Sequence, residues 1–296
     1  MPPLEGIIGF PLTPFRDDLS LDLDRFEQFV AEIAEKPFCA LNAPAGISEV
    51  FSLTPDEAVS LVERAARLCR SRIPLIGSVA FNLPIAAQMA RRMEAAGADA
   101  LLVLPPYYPG APFEGLCDYY RGVARATGLP LAIYSRGWAA FAPDEVARLA
   151  EAIPTLRYWK DGQGDPRVFR RIIAKVGGRL TWIGGAGDDA AAVYAAMDVR
   201  CFTSSISGVS PELAVAWGRA AMDGDLASLN RLLDRYVHPL FALRARRRGY
   251  EVSAMKKARE LLGRTPAGPA RPPLPALAPA DEADLRSLLT AWRDFL

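Results

Sequence analysis

Histidine is all but missing from this chain: among 296 residues there is one, His238. That scarcity excludes His-rich metal sites and every catalytic triad not built on this one residue. Cysteine is sparse as well. Cys39, Cys69, Cys117 and Cys201 are widely scattered with no Cys-x-x-Cys pair, which excludes a disulfide framework or zinc ribbon and fits reduced core thiols of a cytoplasmic protein. Neither sign of charge predominates, since 35 Lys and Arg against 34 Asp and Glu leave a net charge of +1. A basic footprint for nucleic acid is therefore lacking. No apolar run approaches the ~18 residues of a membrane span. The start, Met1-Pro2-Pro3-Leu4-Glu5, has neither the basic nor the apolar region of a secretory leader. The expectation is a soluble, cytoplasmic, metal-free protein without a nucleic-acid or membrane partner.

Lysine is the last scarcity, with five (Lys36, Lys160, Lys175, Lys256, Lys257) against thirty arginines. One of them, Lys160, ends an apolar run and faces a glycine-rich turn in Arg157-Tyr-Trp-Lys-Asp-Gly-Gln-Gly-Asp165. A lysine kept there by a composition that avoids lysine asks for a chemical reason.

What is plentiful is apolar residue, 51% of the chain, enough for a sizeable core without staples. Strand-length apolar runs recur at Ile7–Leu12, Phe38–Ala43, Leu75–Val79, Ala100–Leu104, Leu131–Tyr134, Leu156–Lys160, Leu180–Ile183 and Val199–Thr203. Most are near-continuously apolar rather than alternating, as parallel strands covered on both faces are. Helical patterns fill the gaps. Thr54-Pro55-Asp56-Glu57 reads as a capping box with proline at the first helical position, and Pro143, Pro166 and Pro211 open further helices. Eight strand–helix pairs predict an α/β fold, a (β/α)₈ TIM barrel. A doubly wound open sheet would need a glycine fingerprint after the first strand, where Pro11-Leu12-Thr13-Pro14 stands instead.

Past about residue 224 the strands stop, so the expected organisation is a catalytic barrel over residues 1–224 and a C-terminal helical extension over 225–296. Leu226–Arg247 reads as one long helical stretch and Tyr250–Leu262 as another. Pro266–Pro279 reads as an extended run over the surface. The final helix carries Leu285, Leu288, Leu289, Trp292 and Phe295 on one face, which must dock on the barrel or a second subunit.

In such barrels the site lies at the carboxyl ends of the strands. Those ends hold Gly46-Ile47-Ser48-Glu49, Tyr107-Tyr108, Tyr134-Ser135-Arg136, Lys160-Asp161, Gly184-Gly185 and Thr203-Ser204-Ser205. A lysine, tyrosines, an arginine and hydroxyls suit carbonyl chemistry through an imine better than hydrolysis or metal catalysis. A free lysine has a pKa of about 10.4 and is inert at neutral pH; burial behind Trp159 would lower it. Tyrosine can then relay protons, and arginine can grip a carboxylate at two points. Blander readings stand beside these. Lys160 could pair with Asp161, Tyr134 could be core, and Gly184–Gly187 could be a turn rather than a phosphate cradle. Arg244–Arg248 reads as a solvated helix face, His238 as structural.

With these residues in place, the chain resembles the dihydrodipicolinate synthase/N-acetylneuraminate lyase superfamily, from Gly9-Phe10-Pro11-Leu12-Thr13-Pro14-Phe15 to the C-terminal helices. Within it, Tyr134-Ser135-Arg136-Gly137, Trp159–Asp165 and Arg247–Ser253 are most similar to the 5-dehydro-4-deoxyglucarate dehydratases. The resemblance implies that Lys160 is the Schiff-base lysine and Tyr134 the proton relay. It implies that Gly46, Ile47, Ser48, Tyr107, Tyr108, Arg136, Gly185, Thr203 and Ser204 bind a small keto acid. The covalent imine would serve in place of a cofactor, and the protein would be a homo-dimer or tetramer in which Tyr107 or Tyr108 reaches a neighbour's site. The reaction implied is dehydration and decarboxylation of 5-dehydro-4-deoxyglucarate to 2,5-dioxopentanoate.

Two departures bear on that expectation. Ala45-Gly46-Ile47-Ser48-Glu49 stands where the family has Gly-Thr-Thr-Gly-Glu or Gly-Gly-Thr-Gly-Glu. Isoleucine removes a donor worth roughly 0.5–1.5 kcal/mol, although Ser48 could lend its hydroxyl from one residue away. Ser135 stands where the dehydratases usually have asparagine. The altered turn keeps two alternatives open: a pyruvate-dependent aldolase or synthase, and a non-catalytic keto-acid-binding barrel.

Overall fold

The apolar runs form eight parallel strands: β1 (Gly6–Gly9), β2 (Ala40–Asn42), β3 (Leu75–Val79), β4 (Ala100–Val103), β5 (Leu131–Ser135), β6 (Leu156–Asp161), β7 (Thr181–Gly184) and β8 (Cys201–Ser204). Each pairs with the next and β8 with β1, so the sheet closes on itself. In this computed structural model, residues 3–70 and 72–295 are described. Met1 and Pro2, the first residues of the start considered above, and Leu296, the end of the helical extension, lie outside them.

Between the strands run α1 (Leu23–Ala34), α2 (Pro55–Cys69), α3 (Leu83–Ala95), α4 (Phe113–Ala124), α5 (Pro143–Ala152), α6 (Pro166–Val176), α7 (Ala191–Ala196) and α8 (Pro211–Met222). Their starts follow the local chemistry. Thr54 Oγ1 accepts from the Glu57 amide while Glu57 accepts from the Thr54 amide, closing the capping box on α2. Asp165 accepts from the Arg167 and Val168 amides ahead of α6, with Pro166 at the position that has no need of an N–H. α7 is short because the segment before it, Asp188–Ala190, is a tight 3₁₀ turn.

Strand residues alternate between two cores. Ile8, Ala40, Leu102, Ala132 and Tyr158 fill the barrel, while Ile7, Leu101, Ile133 and Trp159 pack outward on the helices. The alternation corrects one expectation. Trp159 does not shield its neighbour Lys160, because adjacent strand residues face opposite ways; its ring meets Phe141, 5.4 Å away between centroids, in the helical layer.

The C-terminal extension comprises α9 (Leu226–Leu232), α10 (His238–Arg244), α11 (Tyr250–Leu261) and α12 (Pro279–Leu288). The expected single helix over Leu226–Arg247 is interrupted by a π turn at Leu233–Val237, where the His238 amide donates to the Leu233 carbonyl. Pro239, which has no N–H, sits just beyond it. The proline-rich run is not a surface strap throughout. Ala267 is buried, and Arg271 donates to both carboxylate oxygens of Glu57 and to the Leu19 and Ser52 carbonyls. Leu285, Leu289 and Trp292 are buried in the same core as the barrel helices. Among the described residues, no helix is long and apolar enough to cross a membrane.

Candidate active site

Lys160 owes its orientation to a break in the strand. β5 and β6 pair Leu131 with Leu156 and then Ala132 with Tyr158, leaving Arg157 as an extra, exposed residue. Such a bulge reverses the side-chain parity beyond it. Tyr158 and Lys160 therefore point into the barrel, as Ala132 and Tyr134 do, and register places Lys160 beside Tyr134. The Lys160 Nζ lies 4.0 Å from the Tyr134 ring centroid and 5.0 Å from that of Phe10.

Lys160 is 5% exposed, and among the described residues it makes no ion pair. The Asp161 alternative fails on geometry. Its carboxylate accepts from the Tyr194 hydroxyl at 2.6 Å and from the Gln163 and Gly164 amides, holding the turn after β6. Burial, and next the positive charge of Arg136, bring the Lys160 pKa down from 10.5 to about 7. A large share of neutral amine is thus present at neutral pH, as attack on a ketone requires. Burial raises the Tyr134 pKa, so its phenol stays protonated and can give or take a proton only in exchange. Its hydroxyl donates to the Gly185 carbonyl at 3.1 Å, and Arg136 Nη1 approaches it at 3.5 Å.

Two glycines make room for this pair. A Cβ on Gly162 would stand 2.4 Å from Tyr134 Cε2, and one on Gly185 would stand 2.4 Å from Lys160 Cε and 2.8 Å from the Asp161 carbonyl oxygen. Gly184 is needed in the same way by the Tyr194 ring. The glycine run after β7 therefore makes room for the protein's own side chains. Gly185→Ala is expected to displace the lysine stem and lower kcat/KM ~100-fold with the fold retained. Steady-state kinetics beside a circular dichroism spectrum check this; activity within threefold of wild type would show that the stem is not held by this contact.

Lys160 opens on a cavity of about 420 Å³ at the carboxyl ends of the strands. Gly46, Ile47, Tyr134, Arg136, Gly185 and Thr203, all expected at the site, line it. Thr203 Oγ1 donates to the Gly184 carbonyl at 3.2 Å. Other expected residues are placed elsewhere. Ser48 is fully buried, its hydroxyl donates to the Pro11 carbonyl and its amide to the Ala45 carbonyl, so it lends nothing to the cavity. The turn closes with Glu49 in the left-handed region, φ +58°. Among the described residues, the Gly46 and Ile47 amides donate to no protein acceptor, which leaves two donors for an anion. Ser204 spends its hydroxyl on Asp188 at 2.5 Å. Tyr107 and Tyr108 are 78% and 74% exposed and off the cavity lining; Tyr107 meets Trp138 edge-on at 5.2 Å.

Several lining residues were not among the site residues expected from the sequence: Phe10, Asp188, Phe241, Arg244 and Glu251. Arg244 matters most, because it belongs to the run read as a solvated face. Arg246 does pair with Asp281 and Asp284, but Arg244 turns inward over the Phe241 ring, with its guanidinium carbon 4.2 Å from the centroid. Its Nη1 donates to Ser205 Oγ at 3.2 Å, and among the described residues its buried Nε has no partner. Phe241 and Arg244 three apart on one helix was the available signal. His238 is an outer residue, contacting Asp234 at 3.0 Å.

The comparisons with known proteins agree with this geometry. The model of the Dihydrodipicolinate synthetase family matches residues 3–292. A protein from Methylobacterium radiotolerans named a probable 5-dehydro-4-deoxyglucarate dehydratase is 38% identical over 286 residues, covering 96% of this chain and 94% of that one. One of the same name from Rhizobium meliloti is 37% identical, covering 97% and 96%. Among solved structures, dihydrodipicolinate synthase from Bacillus clausii superposes with a TM-score of 0.92 at 26% identity, covering 98% of each chain. With matches over nearly the whole length, the chain belongs to the dihydrodipicolinate synthetase family.

Proposed function

We propose that this protein is a Schiff-base lyase that dehydrates and decarboxylates 5-dehydro-4-deoxyglucarate to 2,5-dioxopentanoate. The observation that carries the chemistry is a buried Lys160, without an ion pair among the described residues, registered beside Tyr134 in a cavity that also holds cationic groups. The substrate rests on the names of the relatives matched at 35–38% identity. Lys160 adds to the ketone and, with loss of water, becomes a protonated imine. That electron sink acidifies the neighbouring CH₂. Tyr134, between the Gly185 carbonyl and Arg136, is placed to shuttle the protons. Loss of the β-hydroxyl as water leaves an unsaturated imine, into which the distal carbon–carboxylate bond expels carbon dioxide. Protonation and hydrolysis return the aldehyde product and free lysine. One diacid thus gives one carbon dioxide, one water and 2,5-dioxopentanoate, with the imine serving in place of a metal or organic cofactor.

In this reading the keto-acid carboxylate sits on the Gly46 and Ile47 amides beside Arg136, whose Nη1 lies 3.7 Å from where a Gly46 Cβ would stand. The Ile47 departure is met by backbone donors in place of a hydroxyl. The enzyme works in the cytoplasm as a homo-oligomer, and exposed Tyr107 and Tyr108 support a face covered by a second copy. Incubation with 5-dehydro-4-deoxyglucarate is expected to release one carbon dioxide per substrate and yield 2,5-dioxopentanoate. Turnover of pyruvate with an aldehyde, and no carbon dioxide from the diacid, would transfer the protein to the aldolases of its family.

A further inference from the structure

Cationic side chains from three places enter the cavity: Lys160 from β6, Arg136 after β5, and Arg244 from α10 in the C-terminal extension. Among the described residues, neither arginine has a carboxylate within ion-pair distance. The acids near Arg244 are committed elsewhere or stand off. Asp188 accepts from Ser204 Oγ through one oxygen and from the Ser205 amide and hydroxyl through the other. Glu251 accepts from the Gly249 amide at 2.9 Å. Burial lowers the Arg244 pKa most; Asp188 first, then Glu251 and Asp189, oppose it through space without touching the guanidinium, and Arg136 acts in the same direction as burial. Arg244 is thereby oriented, stacked on Phe241 and bonded to Ser205, while its charge lacks a contact partner. Burial works against holding a guanidinium this way, and a ligand anion would relieve that cost.

We propose that Arg244, seated on Ser205, is the binding residue for the second, distal carboxylate of a dicarboxylic keto acid. This subsite makes the enzyme select diacids over keto acids ending in an alcohol or methyl group. The inference rests on the Schiff-base reading for the position of the ketone, since the Gly46–Ile47 turn and Arg136 form the corner beside Lys160 and take the near carboxylate. Arg244, on a different element, is left for the far end. The contact is made in the ground state and is lost as carbon dioxide leaves, so it acts on binding more than on turnover.

The test uses 2-oxoadipate, which carries its two carboxylates at the substrate's spacing but no hydroxyl to eliminate, and 2-oxohexanoate, which lacks the distal carboxylate. Borohydride trapping of the imine is measured against the concentration of each acid. Wild type is expected to half-saturate with 2-oxoadipate at a concentration at least ~10-fold lower than with 2-oxohexanoate, as a charge-assisted pair predicts. Arg244→Gln is expected to erase the preference, with a circular dichroism spectrum matching wild type reporting that the variant is folded. Arg244→Lys is expected to keep part of it. A preference that survives in Arg244→Gln, or none in wild type, overturns the proposal. No trapping of any keto acid by wild type would instead remove the Schiff-base reading beneath it. A normal preference without carbon dioxide release from 5-dehydro-4-deoxyglucarate leaves the subsite standing and removes only the assigned reaction.

Discussion

Lys160→Ala is expected to lower kcat/KM by at least ~10⁴-fold and to abolish the borohydride adduct, since in the proposed mechanism Lys160 is the nucleophile and, among the described residues, no other lysine lines the cavity. Lys160→Arg should fail equally, because a guanidinium stays charged and forms no imine. In wild type the rate of imine formation should climb across pH 7 and level above it, following an amine whose pKa lies at about 7. The same shift carries a cost in stability at neutral pH. Between pH 7 and 10.5 the unfolded lysine holds a proton that the folded one does not, so the folded form gains stability as pH rises through that window. At pH 7 and below, wild type carries a deficit on the order of 4 kcal/mol from burying this amine. Lys160→Met should therefore be inactive yet more stable near pH 7, with the advantage shrinking towards pH 10.5. Urea midpoints at pH 7 and pH 10 check this; an advantage equal at both would mean that packing, not the buried charge, sets it.

How far the sequence revealed this site depends on which residues had a local cause. Strand-length apolar runs and proline-led helices announce a closed barrel, because each is decided within a few residues. Lys160 and Tyr134 were legible as an unusual lysine and a tyrosine at strand ends. That they face each other was not, since it rests on the Arg157 bulge and on register between strands. Trp159 shows the other side of this point: without the parity it was read as the shield that Phe10 and Tyr134 provide. Ser48 and Ser204 looked available because hydroxyls at strand ends suit a substrate. Their hydrogen bonds to the Pro11 carbonyl and Asp188 come from segments distant in the chain. Arg244 was hidden by its company, one inward arginine among Arg246, Arg247 and Arg248, which are exposed.

Lys256→Met is expected to cost about 3–5 kcal/mol, the range for removing one partner of a buried ion pair. The side chains of Lys256 and Glu49 are 3% and 0% exposed, and Nζ lies 2.5 Å from Oε1. Nζ also donates to the Pro269 carbonyl at 2.8 Å and sits 4.4 Å from the Phe15 ring centroid. The other oxygen of Glu49 accepts from the Arg271 amide. Methionine would fill the volume but leave Glu49 charged, buried and held by that single amide. Glu49 closes the turn whose Gly46 and Ile47 line the cavity, so the loss should reach the site. Pyruvate trapping should weaken in the variant even where it remains folded. The double variant Glu49→Gln/Lys256→Met removes both charges and should recover ~2 kcal/mol or more of the summed single losses. Urea denaturation of the four proteins at pH 7 decides the matter: a loss below ~1 kcal/mol for Lys256→Met, with no recovery in the double variant, would reduce the pair to a surface-like contact. The expected coupling instead makes α11 of the C-terminal extension a direct support of the barrel turn at Gly46–Glu49.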